Sequence, residues 1–443
     1  MFQETNSAIP FFDFPNPGPA IPRRQFGNRA GRGPRAVAGT PPKAAAKAHK
    51  AAVAPSAAGP LDIELPPLGA PTDPKGAEPF NPDAPDRRVG YALVGLGHLT
   101  LNEILPAFGK CKHAKVVALV SGDAEKMAKV AQQYGIKPSN CYSYQTYDQL
   151  RDNPEVEVIY LVLPNAMHHE FTLRGAQAGK HILCEKPMAN SVQECEEMIA
   201  ACRKADKKLM IAYRIQYEPL NRQVQKLVRA KTYGPPKLIQ MMNCQSQAHD
   251  QQWRHQKALA GGGSLPDVGL YCLNTTRFLL GEEPTEVSAQ IYSTPGDARF
   301  REVEESVSFT LRFPSGVIAQ CMTGYGAFNN KSYTVFAETG SIRMDPAFPY
   351  RGLRQERIHA PGGQQVTEQP SSPEKDHFAL QMDHLADCVR QNKTPYTPGE
   401  EGLQDQRIME AIYQSARENR PVKLPAVTKM DAFRGEAPQE DAV

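Results

Sequence analysis

The chain has 443 residues, 40% hydrophobic and 22% charged, enough for two or three domains with a sizeable core. Its 51 Lys and Arg against 48 Asp and Glu leave a net charge of +3, too balanced for a nucleic-acid binder. No apolar run reaches the roughly 18 residues of a membrane-spanning helix, and nine cysteines with no CxxC pair argue against a disulfide scaffold or a structural zinc site.

Residues 1–88 stand apart, holding 17 of the 39 prolines. Between positions 21 and 50 there are eight Lys or Arg and no Asp or Glu. Such a segment cannot bury enough apolar surface to offset ordering entropy, so residues 1–86 read as a basic, Pro-rich, disordered or extended arm. Pro22-Arg23-Arg24-Gln25-Phe26 has the form of a twin-arginine export fragment. The apolar stretch that should follow is replaced by Arg29, Arg32, Arg35, Lys43, Lys47 and Lys50, which favours the cytoplasm.

A first folded unit is expected over 87–212. Gly90 to Val94 is a short apolar run, then comes Gly95-Leu96-Gly97 and a helical pattern through Ile104, Leu105 and Phe108. Strand, glycine turn and helix form the context of a dinucleotide fingerprint. Gly95 permits the tight turn, and Gly97 lets backbone approach a pyrophosphate at the helix N-terminus. Thr100 occupies the place of the third glycine, so the motif alone also fits an ordinary strand–helix turn. A second run, Lys115 to Val120, ends at Ser121-Gly122-Asp123 with Lys126 one turn on. A hydroxyl, a glycine amide and a cation suit a 2′-phosphate better than a bare ribose diol, favouring NADP over NAD; Asp123 as the charge at a helix start is the plainer reading.

Further apolar runs at Val156 to Leu163, Lys180 to Cys184 and Lys208 to Ala212 alternate with helical segments, as in a doubly wound parallel sheet. Ligands of such sheets bind beyond the carboxyl ends of the strands. This rule places Gly95, Ser121, Pro164, Glu185, Lys186 and Tyr213 along one crevice edge. Lys186, between a buried strand and Pro187, would be held partly out of water and suited to proton transfer. Farther on, Gly261-Gly262-Gly263-Ser264-Leu265-Pro266 opens a helix in which Asp267 and Tyr271, spaced i and i+4, share a face. A carboxylate and a phenol so placed can bind a sugar hydroxyl and exchange its proton, or serve as a helix-start charge and a core-edge ring. His168 and His169 have no further ligand-type residues at metal spacing, so no metal is expected. Trp253-Arg254 reads either as a packing anchor or as a contact to cofactor or sugar.

From 213 to 443 the pattern changes. Runs at Lys237 to Met242, Glu286 to Ile291, Glu305 to Phe313, Gly316 to Met322 and Ser332 to Ala337 have the alternation of antiparallel strands. One face of that sheet would pack on helices and the other would be free for a second copy. Phe378 to Val389 and Gly402 to Ala416 read as amphipathic helices that pack back on the core.

The segment Ala178-Gly179-Lys180-His181-Ile182-Leu183-Cys184-Glu185-Lys186-Pro187 resembles the AGKHVxxEKP signature of the Gfo/Idh/MocA oxidoreductases. Gly90 to Gly97, Lys208 to Arg214, Gln251 to Arg254, Gly261 to Leu265, Leu279 to Pro284 and Pro398 to Gly402 resemble, within that family, its glucose–fructose oxidoreductase branch. Likeness runs from about 86 to about 422. It implies a Rossmann dinucleotide-binding domain followed by an open-faced antiparallel α/β domain used in a homo-oligomer, a dimer or tetramer. It implies a sugar substrate and NADP, with NAD possible in the family. Lys186, Asp267 and Tyr271 would be catalytic, Asp267 holding the sugar and Tyr271 moving the proton, and Tyr213 and Tyr217 would join them on the substrate. The cofactor would be lined by Gly95, Leu96, Gly97, Ser121, Gly122, Lys126, Leu163, Pro164, Asn165, His168, Glu185, Lys186, Arg214, Trp253 and Arg254. In that branch the nicotinamide stays bound while an aldose is oxidised and a ketose reduced, and the resemblance implies the periplasm as the alternative to the cytoplasm read from the arm. The alternatives are an aldose, inositol or anhydrosugar dehydrogenase that releases its cofactor, and a non-catalytic sensor, against which the three proton-transfer side chains argue. Pro266, the short stretch 243–250, and His98 and Leu99 beside the pyrophosphate turn depart from the pattern.

Overall fold

Six apolar runs pair as one parallel sheet: β1 (Val89–Val94), β2 (Ala114–Val120), β3 (Cys141–Tyr142), β4 (Val158–Leu161), β5 (His181–Cys184) and β6 (Leu209–Ile211), in the order β3-β2-β1-β4-β5-β6. The computed structural model describes residues 82–246 and 252–438. The arm up to residue 81, with its arginine pair, and residues 247–251, within the short stretch and at Gln251, lie outside the described residues. Every residue of β1 and β4 is buried, the mark of strands covered on both faces. Between them run α1 (Leu105–Phe108), which continues a π-helical turn over Thr100–Ile104, then α2 (Ala124–Tyr134), α3 (His168–Gln177) and α4 (Val192–Lys204). Strand order reverses between β1 and β4, the switch point at which such a sheet opens a crevice.

The chain then passes through α5 (Pro219–Arg229), β7 (Pro236–Cys244), the short α6 (Lys257–Ala260), a second π-helical turn over Leu265–Gly269 and α7 (Leu270–Leu280). There follow β8 (Glu286–Tyr292), β9 (Ser306–Arg312), β10 (Ile318–Gly324), β11 (Asn330–Ala337), β12 (Gly340–Met344), β13 (Gln355–His359) and β14 (Val366–Glu368). With β15 (Val422–Lys423) they form a nine-stranded sheet ordered β14-β13-β12-β11-β7-β10-β9-β8-β15. Every pairing is antiparallel except β7 with β10, which run parallel because β8 and β9 are inserted between them in sequence and return beside β10. Val307, Phe309 and Leu311 of β9 point inward and are buried, whereas Ser308 and Arg312 are exposed. Helices α5 and α7 pack together on the inner face.

Two late helices cover the first sheet. On α8 (His377–Arg390), the carbonyl of Met382 accepts from Tyr91 Oη at 2.7 Å, and the Asp383 carboxylate accepts from the N–H groups of Lys112, His113 and Ala114. Helix α9 (Gly399–Glu418) packs on α4, β6 and β8. A buried ion cluster ties it to α7: Arg277 bonds Glu283, Glu401 and Asp405, and Arg434 bonds Glu401. Among the described residues no helix is long and apolar enough to cross a membrane.

Candidate active site

The carboxyl ends of the parallel strands open into a crevice of about 900 Å³ whose far wall comes from the second sheet and α7. Its floor begins at the turn after β1. Gly95 has φ +95°, and a Cβ there would lie 2.3 Å from the Val162 carbonyl oxygen, so no other residue fits. Nothing lies within 4 Å of where a Cβ on Gly97 would be, and the turn is open to a ligand there. Thr100 Oγ1 donates to the Gly95 carbonyl at 2.6 Å, so the hydroxyl in place of a third glycine holds the turn itself. The helix that starts at His98 directs its free N–H groups at the crevice, and His98 and Leu99 line it.

At one end the crevice is lined by Ser121, Gly122, Asp123, Lys126 and Tyr144. Ser121 Oγ accepts from Asp123 N at 3.1 Å. Asp123 caps α2 by accepting from Lys126 N, a bond that holds its carboxyl below the usual range, and Lys126 Nζ stands 3.6 Å from it. Thus Asp123 is the helix-start charge, and Lys126 lies on the crevice rim beside it. Leu96, Leu163, Pro164 and Asn165 line the middle, and Asn165 Nδ2 donates to the Ala260 carbonyl at 2.9 Å.

The other end collects the groups able to move protons. Lys186 Nζ donates to the backbone oxygen of Asp267 at 2.7 Å and to its Oδ1 at 3.2 Å, and stands 4.8 Å above the Tyr271 ring. Asp267 Oδ2 accepts from Arg254 Nε at 3.1 Å and from Tyr325 Oη at 2.7 Å. Burial by itself would raise the Asp267 pKa; the cations of Arg254 and Lys186 and the Tyr325 bond outweigh it and hold the carboxyl well below the usual range. Arg254 is stacked on the Trp253 ring at 4.6 Å. Arg214 Nε donates to Tyr271 Oη at 3.2 Å, while its other nitrogens bond the carbonyls of Phe348 and Pro349. Glu185 is buried, which raises its pKa, and accepts from Tyr160 Oη at 2.7 Å.

Asp267 lies in the π-helical turn and Tyr271 in α7, and both face the crevice. The turn is held from outside: Glu304 accepts from the N–H groups of Gly263 and Leu265, both at 2.9 Å, and from Tyr413 Oη at 3.0 Å.

Three expected site residues lie elsewhere. His168 is fully buried beneath the crevice, its ring nitrogens 2.9 and 3.0 Å from the carbonyls of Pro187 and Leu163. Burial lowers its pKa, so it is a neutral strut. Tyr217 is fully buried with its hydroxyl on Thr397 Oγ1 at 3.1 Å. Tyr213 is buried behind Lys186 and Tyr271, its phenol near Asp405 rather than in the main crevice. The physical reason is the tight 3-10 turn Arg214–Tyr217 after β6, which sends Arg214 to the crevice and its neighbours inward. Conversely, Tyr325, Lys331, Gln245 and Tyr350 belong to the site's surroundings without having been singled out; Gly324-Tyr325-Gly326 after a strand was the one available signal. Among the described residues no group of three or more His, Cys, Asp or Glu is placed to hold a metal ion.

The crevice fits a dinucleotide: an open glycine turn under a helix N-terminus in the middle, a hydroxyl and a cation at one end, and proton-transfer groups at the other. Comparison with known proteins agrees. Residues 89–213 match the model of the oxidoreductase family with an NAD-binding Rossmann fold, and residues 221–343 match the GFO/IDH/MocA C-terminal domain. Aldose-aldose oxidoreductase from Caulobacter crescentus, solved with glycerol, is 44% identical and superimposes with a TM-score of 0.74 over 76% of this chain and 100% of that one. D-xylose 1-dehydrogenase [NADP(+)] of Haloarcula marismortui is 29% identical over 347 residues, 77% of this chain and 94% of the relative. The 1,5-anhydro-D-fructose reductase of Ensifer adhaerens is 31% identical over 251 residues, covering 56% and 71%.

Proposed function

The chain belongs to the Gfo/Idh/MocA oxidoreductase family, and from that premise we propose that it is an NADP-dependent aldose oxidoreductase whose cofactor stays bound between two sugar half-reactions. The observation that carries the reading is the single crevice in which the glycine turn, Ser121 and Lys126 lie on one side and Lys186, Asp267 and Tyr271 converge on the other. The names of the aldose-aldose oxidoreductase and the NADP(+)-dependent xylose dehydrogenase support sugar and cofactor alike. The finer assignment, oxidation of an aldose such as glucose and reduction of a ketose such as fructose, rests on the EKP segment and its neighbouring matches.

When bound, the dinucleotide supplies a ring that accepts or returns hydride. Gly97 and the helix N-terminus would hold its pyrophosphate, Ser121 and Lys126 its 2′-phosphate, and Glu185, Trp253 and Arg254 would border its reactive end. Lys186, fixed by the two bonds it donates to Asp267, donates its third to the oxygen of the reacting carbon. Acting as the base, the Tyr271 phenolate would take the proton of that hydroxyl and become neutral as hydride leaves the carbon, and Arg214 and Lys186 stand beside the negative charge it holds before that transfer. Asp267 has both oxygens engaged by the chain's own groups, so its part is to hold Lys186 and Arg254 in place rather than to act as the base.

The test uses purified protein with no added cofactor: glucose first, then fructose, while absorbance of reduced nicotinamide is followed. A rise and then a fall is expected. A signal that depends on added NADP or NAD would assign the chain to the dehydrogenases that release their cofactor, and silence over a sugar panel would overturn the reading. We propose the cytoplasm as compartment, in keeping with nine free thiols. A second copy is the partner proposed for the outer sheet face, where Phe336, Leu238 and Ile318 stand side by side in register and Leu238 is 52% exposed. Sedimentation of a Leu238→Lys/Phe336→Lys variant as monomer is the expected result.

A further inference from the structure

We propose that Lys331, seated against Gln245, is a specificity-determining residue that holds a sugar hydroxyl remote from the carbon being oxidised. The proposal rests on the aldose reading above. Lys331 is the second residue of β11 and pairs in register with Asn243 of β7, which brings Asn243, Gln245 and Lys331 together on the far wall of the crevice.

The other cations at that end each stand against a carboxylate, a ring or a carbonyl of the chain. Lys186 is held by Asp267, Arg254 by Asp267 and the Trp253 ring, and Arg214 by Tyr271 and two backbone carbonyls. Lys331 Nζ donates to a neutral partner, the amide oxygen of Gln245, at 3.1 Å. An ammonium carries three donors, so this bond leaves capacity that a ligand oxygen in the crevice would meet. Burial pushes the Lys331 pKa down, and Tyr271, Arg214, Asp267 and Lys186 all act on it, so it shares a field with the reacting groups. A partly desolvated ammonium gains more from an oxygen acceptor than an exposed one does.

The geometry divides the work among three elements. Lys186 comes from the turn after β5 and Tyr271 from α7, and these address the reacting hydroxyl. Lys331 comes from the sheet, and is free to read another oxygen of the same sugar. Hydroxyls away from the reacting carbon are what distinguish one aldose from the next.

The experiment compares wild type with Lys331→Met on glucose, its 2-, 3-, 4- and 6-deoxy analogues and xylose. For glucose the variant is expected to raise KM about tenfold to a hundredfold, the range of a hydrogen bond to a charged group, with kcat within about threefold. The penalty should vanish only with the sugars that lack the anchored hydroxyl (one deoxy analogue, joined by xylose if that hydroxyl is at C6), an outcome that a general loosening of the fold would not give. Bound-nicotinamide fluorescence equal to that of wild type after reduction shows that the variant is folded. A penalty equal on every analogue, or a fall in kcat at unchanged KM, would overturn the proposal. If wild type oxidises none of these sugars, the aldose reading itself falls and takes the proposal with it.

Discussion

Asp267 is where the structure makes its strongest electrostatic commitment. Its carboxylate stands 3.2 Å from Lys186 Nζ and 3.1 Å from Arg254 Nε, with side-chain exposures of 19%, 12% and 37% for the three residues in that order. At an effective dielectric of ~20, one such pair is worth about 5 kcal/mol before the cost of taking the ions out of water. Arg254 is open enough for solvent to screen part of its share. Lys186 is not, and breaking a buried pair by removing one partner costs about 3–5 kcal/mol. Asp267→Asn is therefore expected to lower stability by about 3 kcal/mol. Lys186→Met should cost less, because Arg254 and Tyr325 still hold the anion, and the double variant should cost well under the sum, with a coupling of about 2 kcal/mol. The assay is urea unfolding at pH 7 of the four members of the cycle, alongside turnover. With Lys186 no longer anchored, Asp267→Asn should lose about a hundredfold or more in kcat, since each 1.4 kcal/mol of lost positioning is about tenfold. Stabilities that add within about 0.5 kcal/mol, together with kcat within about threefold of wild type, would refute the view that Asp267 works by holding Lys186.

Three further outcomes are expected. Glu304→Gln puts an amide N–H₂ against one of the N–H groups that the carboxylate accepts from, so it should cost about 1–3 kcal/mol and lower kcat while dinucleotide affinity is kept; an unchanged kcat would show that the glycine turn needs no such brace. Ser121→Asp should shift the ratio of NADP to NAD affinity at least about tenfold towards NAD, because a carboxylate there repels a 2′-phosphate and accepts from a ribose diol; an unchanged ratio in fluorescence titrations would move the phosphate elsewhere. Stability should fall as pH drops from about 6.5. Burial holds His384 down at about 4, with its Nε2 accepting from Tyr396 N, and holds His377 well below the usual histidine range, so the unfolded chain binds protons at these two side chains in this window that the native chain does not. His384 alone should cost about 2 kcal/mol by pH 5. Asp267, whose folded pKa is depressed, keeps its contribution until the pH falls below about 4. Urea midpoints that stay flat from pH 7.5 to 5 would contradict this.

Five strands of the first sheet were legible as short apolar runs, four of them closed by glycine or proline just beyond, and burial on both faces leaves no other reading of β1 or β4, whereas the short β3 (Cys141–Tyr142) carries no such pattern. The second sheet was less so. Five of its strands alternate visibly, but β12 to β15 are short strands with little apolar pattern, and β14 and β15 lie at the two edges. The parallel pairing of β7 with β10 is a matter of register between segments some 80 residues apart, which periodicity does not encode.

For the site the division falls along the same physical line. Residues that follow a strand directly, such as Gly95, Ser121 and Lys186, inherit their place from the sheet. Tyr213 and Tyr217 also follow a strand, yet a single 3-10 turn rotates them into the core, and nothing in a residue's distance from a strand end states which way its side chain points. Tyr325, Glu304 and Lys331 reach the reactive end only through the second sheet, as the partners of Asp267, of the glycine turn and of Gln245. The π-helical turn over Leu265–Gly269 shows what this means for chemistry. Its i to i+5 bond, from Leu270 N to the Leu265 carbonyl, replaces the regular helical pattern at the residues that carry the carboxylate. Asp267 therefore reaches Lys186 and Arg254 from a backbone kept in place by the Glu304 brace, by Asn243 Nδ2 on the Val268 carbonyl, by Thr323 Oγ1 on the Ser264 carbonyl and by the ion pairs. The proton-transfer geometry is a property of two sheets closing on one helix, and a change in the second sheet should be felt at Tyr271 before it is felt in cofactor binding.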